Sequence, residues 1–342
     1  MKALTARQRR LAGLARAVRA AVVVPSLFAL ALLVLKQPEV AGFAVFGTFA
    51  HLVMVDYDPA GRARSAESAM LTLLGAIMVS LGTLASANVW LAVGGAIVVG
   101  FLTESSPLAS GHIAVIRTAL LLSFMLGAAV PASPRSVFPH LAGWLLAGIV
   151  AQPALLLLWI PLQTVHVAGE GGSSHEGIAS PVGLPGRLTW IGNAIGTGMA
   201  MGLAVLLTRL LKVDHAFWVV VGVLPVLSVK GASATRTFWQ EQGGTLIGFL
   251  IGGSLVAIIG ARQAWYWVTM PFIVFASAYA GSAVGFMAGQ AAFAVLAVVL
   301  FCILLPQQRH VGILRVEDIA IGGAVSLVVG LLRRLGEARS RC

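Results

Sequence analysis

Two charged residues beside a glycine run are the first candidates for chemistry in this chain. In ATRTFWQEQGGTLIGFLIGG, residues 234–253, Arg236 and Glu241 directly precede glycines that continue into apolar sequence. An arginine stays charged at any working pH and could attract a carboxylate, whereas a glutamate could exchange protons. The helix dipole also favours a glutamate near the start of a helix, so a capping role alone could explain Glu241.

A second polar break lies in FLTESSPLASGHIAVIRTALLL, residues 101–122, where Glu104, His112 and Arg117 surround Pro107 and several serines. Backbone of this composition must face protein or water, because lipid cannot satisfy its polar groups. Two interpretations stay open. Either Arg117 attracts an anion while Glu104 and His112 exchange protons, or Glu104 and Arg117 pair and neutralise each other.

Ionisable residues in or beside apolar spans are costly, so they are functional candidates by default. Charged residues further from the apolar runs (Asp56, Arg62, Arg64 and Lys230) are expected in solvated loops, and His140 is expected as an interfacial anchor. The predicted substrate or proton path contains seven residues: His51, Glu104, His112, Arg117, Arg236, Glu241 and Asp318.

Enzyme and metal chemistry find no support in the sequence. No HExxH, GxSxG or Walker sequence occurs, and the His, Asp and Glu residues do not cluster at ligand spacings. Of the two cysteines, Cys302 lies in an apolar span and Cys342 is the last residue, so neither a disulfide framework nor a metal site is predicted. We predict a protein that is not an enzyme and needs no cofactor.

Composition places these residues in a membrane. Of 342 residues, 58% are hydrophobic and only 10% are charged, and the mean hydropathy is +0.94. Soluble domains carry about 25% charged residues. Continuous apolar runs near the ~20 residues that span a bilayer favour helices over the alternating strands of a β-barrel. The sequence predicts an all-α polytopic membrane protein.

Twelve spans are predicted, in two groups of six. A Gly-, Ser- and Pro-rich segment without apolar periodicity separates them and is predicted to be a flexible cytoplasmic linker. The predicted domains are a first six-helix repeat over 1–162, the linker over 163–187 and a second six-helix repeat over 188–342. The spans are 18–35, 40–55, 67–86, 89–103, 113–130, 138–160, 188–211, 215–229, 243–260, 264–280, 283–305 and 317–332.

The two halves resemble each other weakly. An offset of about 174 residues aligns Arg62 with Arg236 and Glu67 with Glu241. Because each half has an even number of spans, the repeats would be parallel, related by an axis along the membrane normal. The first span has a counterpart inside the chain, which argues against reading it as a cleaved signal peptide.

Basic residues set the orientation and argue against nucleic acid. The net charge is +11, but 16 of the 23 lysines and arginines fall on the side that holds both termini. Positive charges concentrate on the cytoplasmic side of membrane spans. We therefore predict a multi-pass protein of the bacterial inner membrane with both termini in the cytoplasm, the lipid bilayer as partner, and no nucleic-acid binding.

Glycines recur at helical spacing in two spans. Every fourth residue is a glycine at 244, 248 and 252, and a shorter pattern occurs at 192 and 196. Such stripes let a neighbouring helix approach closely. We predict that Gly192, Gly196, Gly244, Gly248 and Gly252 serve helix packing, with a substrate path as the alternative.

The chain resembles the fusaric acid resistance, or aromatic acid exporter, family in its second half. The resemblance rests on residues 214–253 and 315–330, with a Gly-Thr-x-x-Gly motif at 244–248 and an Arg-x-x-Asp-x-x-x-Gly motif at 315–322. RARSAESAMLTLLG, residues 62–75, carries it faintly in the first half. Many family members have a sizeable soluble domain that this chain replaces with its short linker, and QEQ stands where the family often has a basic residue.

The resemblance implies efflux of aromatic or hydroxylated carboxylic acids across the inner membrane, driven by the proton gradient. The expected partner is a small organic acid, and a homo-oligomer or a periplasmic adaptor would also fit. Two alternatives stay open, a passive organic-anion channel and a non-transporting membrane subunit of an envelope complex.

Overall fold

The computed structural model describes residues 6–57, 61–106, 110–157, 184–211, 219 and 232–304. These ranges contain helices and short connections and no strand. The helices are α1 (Ala6–Ala29), α2 (Pro38–Phe49), α3 (Gly61–Ser86), α4 (Val89–Ser105), α5 (Gly111–Ala128), α6 (Val137–Leu157), α7 (Leu184–Leu210), α8 (Ala232–Ile259), α9 (Gln263–Ala283) and α10 (Phe286–Leu304).

Local sequence explains how several of these helices begin and end. Asn88 caps α4, because its side-chain oxygen accepts hydrogen bonds from the backbone N–H groups of Trp90 and Leu91, at 2.9 and 3.3 Å. Gly285 separates α9 from α10 with a φ of 140°, a conformation that only glycine adopts without strain. The helices α1 and α2 each end in a π-helical turn, Leu30–Val34 and Ala50–Met54.

Within the described ranges, seven helices are long and apolar enough to cross a membrane, and two shorter apolar helices, Pro38–Met54 and Val89–Ser105, accompany them. The chain is therefore a polytopic all-α membrane protein. Two predicted spans, 215–229 and 317–332, lie outside the described residues, apart from Val219, which is buried. The full count of twelve and the repeat stay predictions.

Several helices begin earlier than the hydropathy pattern predicted. The helix α8 begins at Ala232 and not near 243, and α1 begins at Ala6 and not near 18. Residues 184–187, assigned to the linker, form the first turn of α7, while 163–183 lie outside the described residues. Hydropathy marks where a helix enters hydrocarbon, whereas the helix itself continues through polar residues that remain good helix formers.

The chain forms two compact units, and each takes segments from both predicted halves. The first unit comprises Met1–Ala76, Phe138–Val167 and Trp239–Glu317. Its largest core is built on α1, whose buried residues repeat at helical spacing from Ala17 to Ala31. Buried residues of α2, α9 and α10 complete this core, and the ring of Phe28 in α1 lies 5.1 Å from that of Trp267 in α9, tilted by 32°.

The second unit comprises Ile77–Val137, Ala168–Phe238 and Asp318–Cys342. Here α4 lies against α7 at very short range, because glycines remove the side chains between the two backbones. A methyl group placed on Gly100 would lie 3.0 Å from the Cα atom of Gly198. One placed on Gly198 would lie 2.5 Å from the carbonyl oxygen of Ile97. Small residues of this kind allow close helix contact where hydrocarbon supplies no hydrophobic drive.

Arg209 closes one end of the second unit. Its guanidinium donates hydrogen bonds to the carbonyl oxygens of Ser86 and Ala128, at 3.0 and 2.9 Å. These are the last residues of α3 and α5, whose terminal carbonyls have no partner within their own helices. A single arginine of α7 thus satisfies the ends of two other helices.

Candidate functional site

The glycine stripe of α8 faces α10. A methyl group on Gly244 would overlap the carbonyl oxygen of Met287, and one on Gly248 would overlap that of Ala291. At Gly252 the neighbour is the side chain of Val298, at 3.1 Å. The two backbones therefore approach so closely along this stripe that only glycine fits at its first two positions.

The stripe in α7 lies elsewhere than the sequence indicated. A methyl group on Gly192 would meet no described atom within 4 Å, so this residue does not pack on a described neighbour. Gly196 is buried. The glycines that approach α4 are Gly198 and Gly202, which lie against Ile97. The segment GTGMAMG shows this four-residue spacing. The prediction instead chose the glycines of IGNAIG, about one helical turn earlier.

Glu241 is fully buried, with 0% of its surface exposed, although Arg236 five residues earlier is exposed. Because α8 begins at Ala232, Glu241 lies in the third helical turn, beyond the reach of the helix dipole. The capping explanation is therefore wrong. Spacings of three and four residues place Glu241 on the helix face of Gly244, Thr245 and Gly248, the face that meets α10.

An apolar cleft lies beside this contact. It has a volume of about 520 Å³ and lies between α8, α9 and α10. Its size falls within the range of ligand sites, about 300–1,000 Å³, and its lining is apolar. The lining residues are Ile247, Ile251, Phe272, Ile273, Ala276, Met287, Ala288, Ala291, Ala292 and Val295.

In the second unit, the structure brings Glu104 and Arg117 together. A guanidinium nitrogen of Arg117 lies 3.7 Å from a carboxylate oxygen of Glu104, and their side chains are 25% and 32% exposed, respectively. The pair joins the end of α4 to α5. His112, the second residue of α5, is exposed. This geometry matches the interpretation in which the two charges neutralise each other.

His51 lies in the π-helical turn that ends α2 and is fully buried. Its Nδ1 atom lies 2.8 Å from the carbonyl oxygen of Gly47, and its Nε2 atom lies 3.1 Å from the Thr72 hydroxyl. That hydroxyl also reaches the carbonyl oxygen of Ser68 at 2.9 Å. The Trp144 ring completes the surroundings, 5.5 Å from the imidazole. Insertions that create a π turn are frequent at functional sites.

Sequence reasoning missed a buried ionic cluster in the first unit. Arg19, Arg64 and Glu67 are 3%, 6% and 2% exposed. The solvated loop expected for Arg64 is therefore wrong, because α3 begins at Gly61 and carries Arg64 inward, whereas Arg62 is exposed as predicted. Helical periodicity counted from residue 61 could have revealed this buried cluster, since Arg64, Glu67 and Ser68 share one helix face.

Tyr57 lies at the edge of this cluster, in the connection between α2 and α3. Burial raises the pKa of its hydroxyl, the nearby Glu67 carboxylate raises it further, and the Ser68 hydroxyl beside it acts in the opposite direction. Tyr57 therefore stays protonated at any working pH. The neighbouring Asp56 pairs with Arg16, which also donates a hydrogen bond to the carbonyl oxygen of Val53 at 3.2 Å.

His140, expected as an interfacial anchor, is buried against other residues. It is 9% exposed, stacks on Phe43 with ring centroids 3.9 Å apart and lies 3.7 Å from the Glu39 carboxylate. Asp318 and Lys230 lie outside the described residues. Among the residues that the structure describes, no group of three potential metal ligands comes together.

Apolar helices of spanning length, with charged residues buried among them, define the class of a polytopic integral membrane protein. Residues 203–329 match the family described as fusaric acid resistance protein-like. The match confirms the resemblance drawn from the sequence, and the chain is a membrane protein similar to that family over this segment. Arg236, Glu241, Asp318 and the glycines of α8 lie within it. Neither a curated protein nor a solved structure gives a significant match.

Proposed function

We propose that this chain exports small organic acids, chiefly aromatic carboxylic acids, from the bacterial cytoplasm, and that the proton gradient drives the export. The observation that carries the proposal is the burial of four ionisable side chains within the apolar helices of one compact unit. Arg19, Arg64, Glu67 and Glu241 are each no more than 6% exposed.

Burial of this kind is difficult to explain in a membrane subunit that only scaffolds other proteins. Ionisable residues buried among membrane helices are costly, so they often mark the paths of substrates or protons. Glu241 also lies in the segment similar to the fusaric acid resistance proteins. Transport therefore accounts for both observations, whereas a scaffold accounts for neither.

Exposed and buried residues have different roles in the proposed export. Arg236, exposed near the start of α8, attracts the carboxylate of the substrate. The apolar cleft between α8, α9 and α10 accepts the aromatic ring. Glu241, buried on the neighbouring face of α8, exchanges protons. Glu104 and Arg117 neutralise each other and stabilise the contact between α4 and α5.

The proposal includes the predicted orientation and repeat. Both termini and the linker lie in the cytoplasm, which places Arg236 on the cytoplasmic side. Two parallel six-helix repeats receive support from matching burial at aligned positions. Arg62 and Arg236 are both exposed, while Glu67 and Glu241 are both buried.

Transport by the purified full-length chain in liposomes tests the proposal. The panel contains 4-hydroxybenzoate, phthalate and succinate, measured near neutral pH, where the carboxylates are ionised. We expect flux that is faster for the aromatic acids and that an imposed proton gradient accelerates. Glu241→Gln should lose the acceleration, whereas the control Glu39→Gln, at a half-exposed carboxylate, should keep it.

Each alternative predicts a different result. Flux that ignores the proton gradient and responds only to the anion gradient would identify a passive channel. No flux of any of the three acids above that of protein-free liposomes would favour the non-transporting subunit and refute the proposal.

A further inference from the structure

We propose that His51, in addition to Glu241, takes up and releases a coupling proton inside the first unit. The inference deepens the proposed function and rests on it. In each cycle Nε2 of the imidazole gains one proton and later loses it, while Nδ1 keeps its own. The contacts around the imidazole satisfy it in both states.

The Gly47 carbonyl oxygen can only accept a hydrogen bond, so Nδ1 of His51 carries a hydrogen and donates it over 2.8 Å. In the neutral imidazole, Nε2 is then an acceptor, and the Thr72 hydroxyl donates to it over 3.1 Å. Both ring nitrogens are therefore satisfied in a site that water does not reach.

Protonation of Nε2 requires only that the Thr72 hydroxyl rotates. Nε2 then donates to the Thr72 oxygen, and the hydroxyl hydrogen turns to the carbonyl oxygen of Ser68, which already lies 2.9 Å away. No heavy atom has to move. A buried histidine with a purely structural role needs partners for one protonation state, whereas this site provides partners for two.

Close packing fixes the imidazole in this position. Methyl groups on Gly75 and Gly148 would overlap Trp144 and Thr72, respectively, so α6 lies directly against α3 there. The indole N–H of Trp144 donates to the carbonyl oxygen of Thr72 at 3.2 Å. Trp144 covers one side of His51, and Thr72 with the Ser68 carbonyl oxygen beside it lies at Nε2.

The elements around α2 carry charged or titratable groups of both signs. A guanidinium opposes a protonated imidazole, and a carboxylate favours it. The described part of α10 contributes no charged residue. The groups are Arg16 and Arg19 of α1, Arg64 and Glu67 of α3, and His140 of α6.

Two transport modes of the same liposomes separate proton carriage from substrate handling. Exchange of radiolabelled 4-hydroxybenzoate for unlabelled 4-hydroxybenzoate at equal pH requires binding and reorientation but no net proton movement. Accumulation driven by a pH gradient requires both. For His51→Gln and Thr72→Val we expect exchange within about twofold of wild type. Gradient-driven accumulation should fall at least about tenfold.

Two further variants control for damage to the fold. Thr72→Ser retains the hydroxyl and should retain gradient-driven transport. Thr48→Val removes a buried hydroxyl from α2 that bonds only the carbonyl oxygen of Ala44 among the described residues, and it should leave both modes unchanged.

Gradient-driven transport that survives in His51→Gln would overturn the inference and leave the proposed function intact. Loss of both modes in His51→Gln, with Thr48→Val normal, would also overturn it, because His51 would then serve substrate movement or folding. Wild-type protein that transports none of the acids would instead refute the proposed function.

Discussion

Replacing Gly248 with alanine should separate α8 from α10. A methyl group there would overlap the carbonyl oxygen of Ala291 and lie 2.6 Å from the Cβ atom of Ala294. Neither neighbour can rotate away, because one is backbone and the other is a Cβ atom fixed to it. The two helices must therefore move apart, and contacts along the whole glycine stripe weaken.

The magnitude follows from two opposing terms. Overpacking a close-packed contact costs about 1–3 kcal/mol, and the upper end applies where backbone has to move. Alanine also favours the helix by about 1 kcal/mol relative to glycine. We expect a net loss of about 2 kcal/mol for Gly248→Ala, or a fall of about 3 °C in Tm for a chain of this size.

Gly253 offers a matched control in the same helix, because a methyl group there would meet no described atom within 4 Å. Gly253→Ala should leave Tm unchanged or raise it slightly. Thermal unfolding of both purified variants in detergent, followed by tryptophan fluorescence, measures the difference. A Gly248→Ala variant that melts at or above Gly253→Ala would refute the close contact between α8 and α10.

Two further predictions concern charge and orientation. If Glu104 and Arg117 stabilise each other, a double-mutant cycle with glutamine at each position should give a coupling free energy of about 1 kcal/mol in thermal stability. The value is small because both side chains are partly exposed. Additive effects of the two substitutions would leave Arg117 available for the substrate. A cysteine at position 173, made as Ser173→Cys in the predicted linker, should react with an impermeant maleimide only after cells are permeabilised, and labelling of intact cells would place the linker outside.

The sequence was most informative where composition alone decides the structure. Apolar runs of spanning length can be satisfied only as helices in lipid, so the class and the approximate places of α1 to α10 followed from hydropathy. The stripe of Gly244, Gly248 and Gly252 was equally readable, because helical periodicity places these residues on one face whatever lies opposite.

The partners of individual side chains could not be predicted in this way. Arg64 and Glu67 lie between a loop and an apolar run in the sequence, and only the early start of α3 turns them inward. His51 was recognised as a candidate, but its contact with Thr72 joins residues 21 positions apart on different helices. Such pairings depend on how helices cross, which local sequence does not encode.

The way α1 is covered has a consequence for biogenesis. Its buried face, from Ala17 to Ala31, lies against α9 and α10 in the finished protein. Translation must proceed about 230 residues beyond Ala29 before Gln263 opens α9, which takes roughly 10–50 s at ribosomal rates. Throughout this interval α1 is inserted without α9 and α10, and lipid or an insertion chaperone must occupy their place. Maturation of this protein is therefore a late event, timed by the synthesis of its second half.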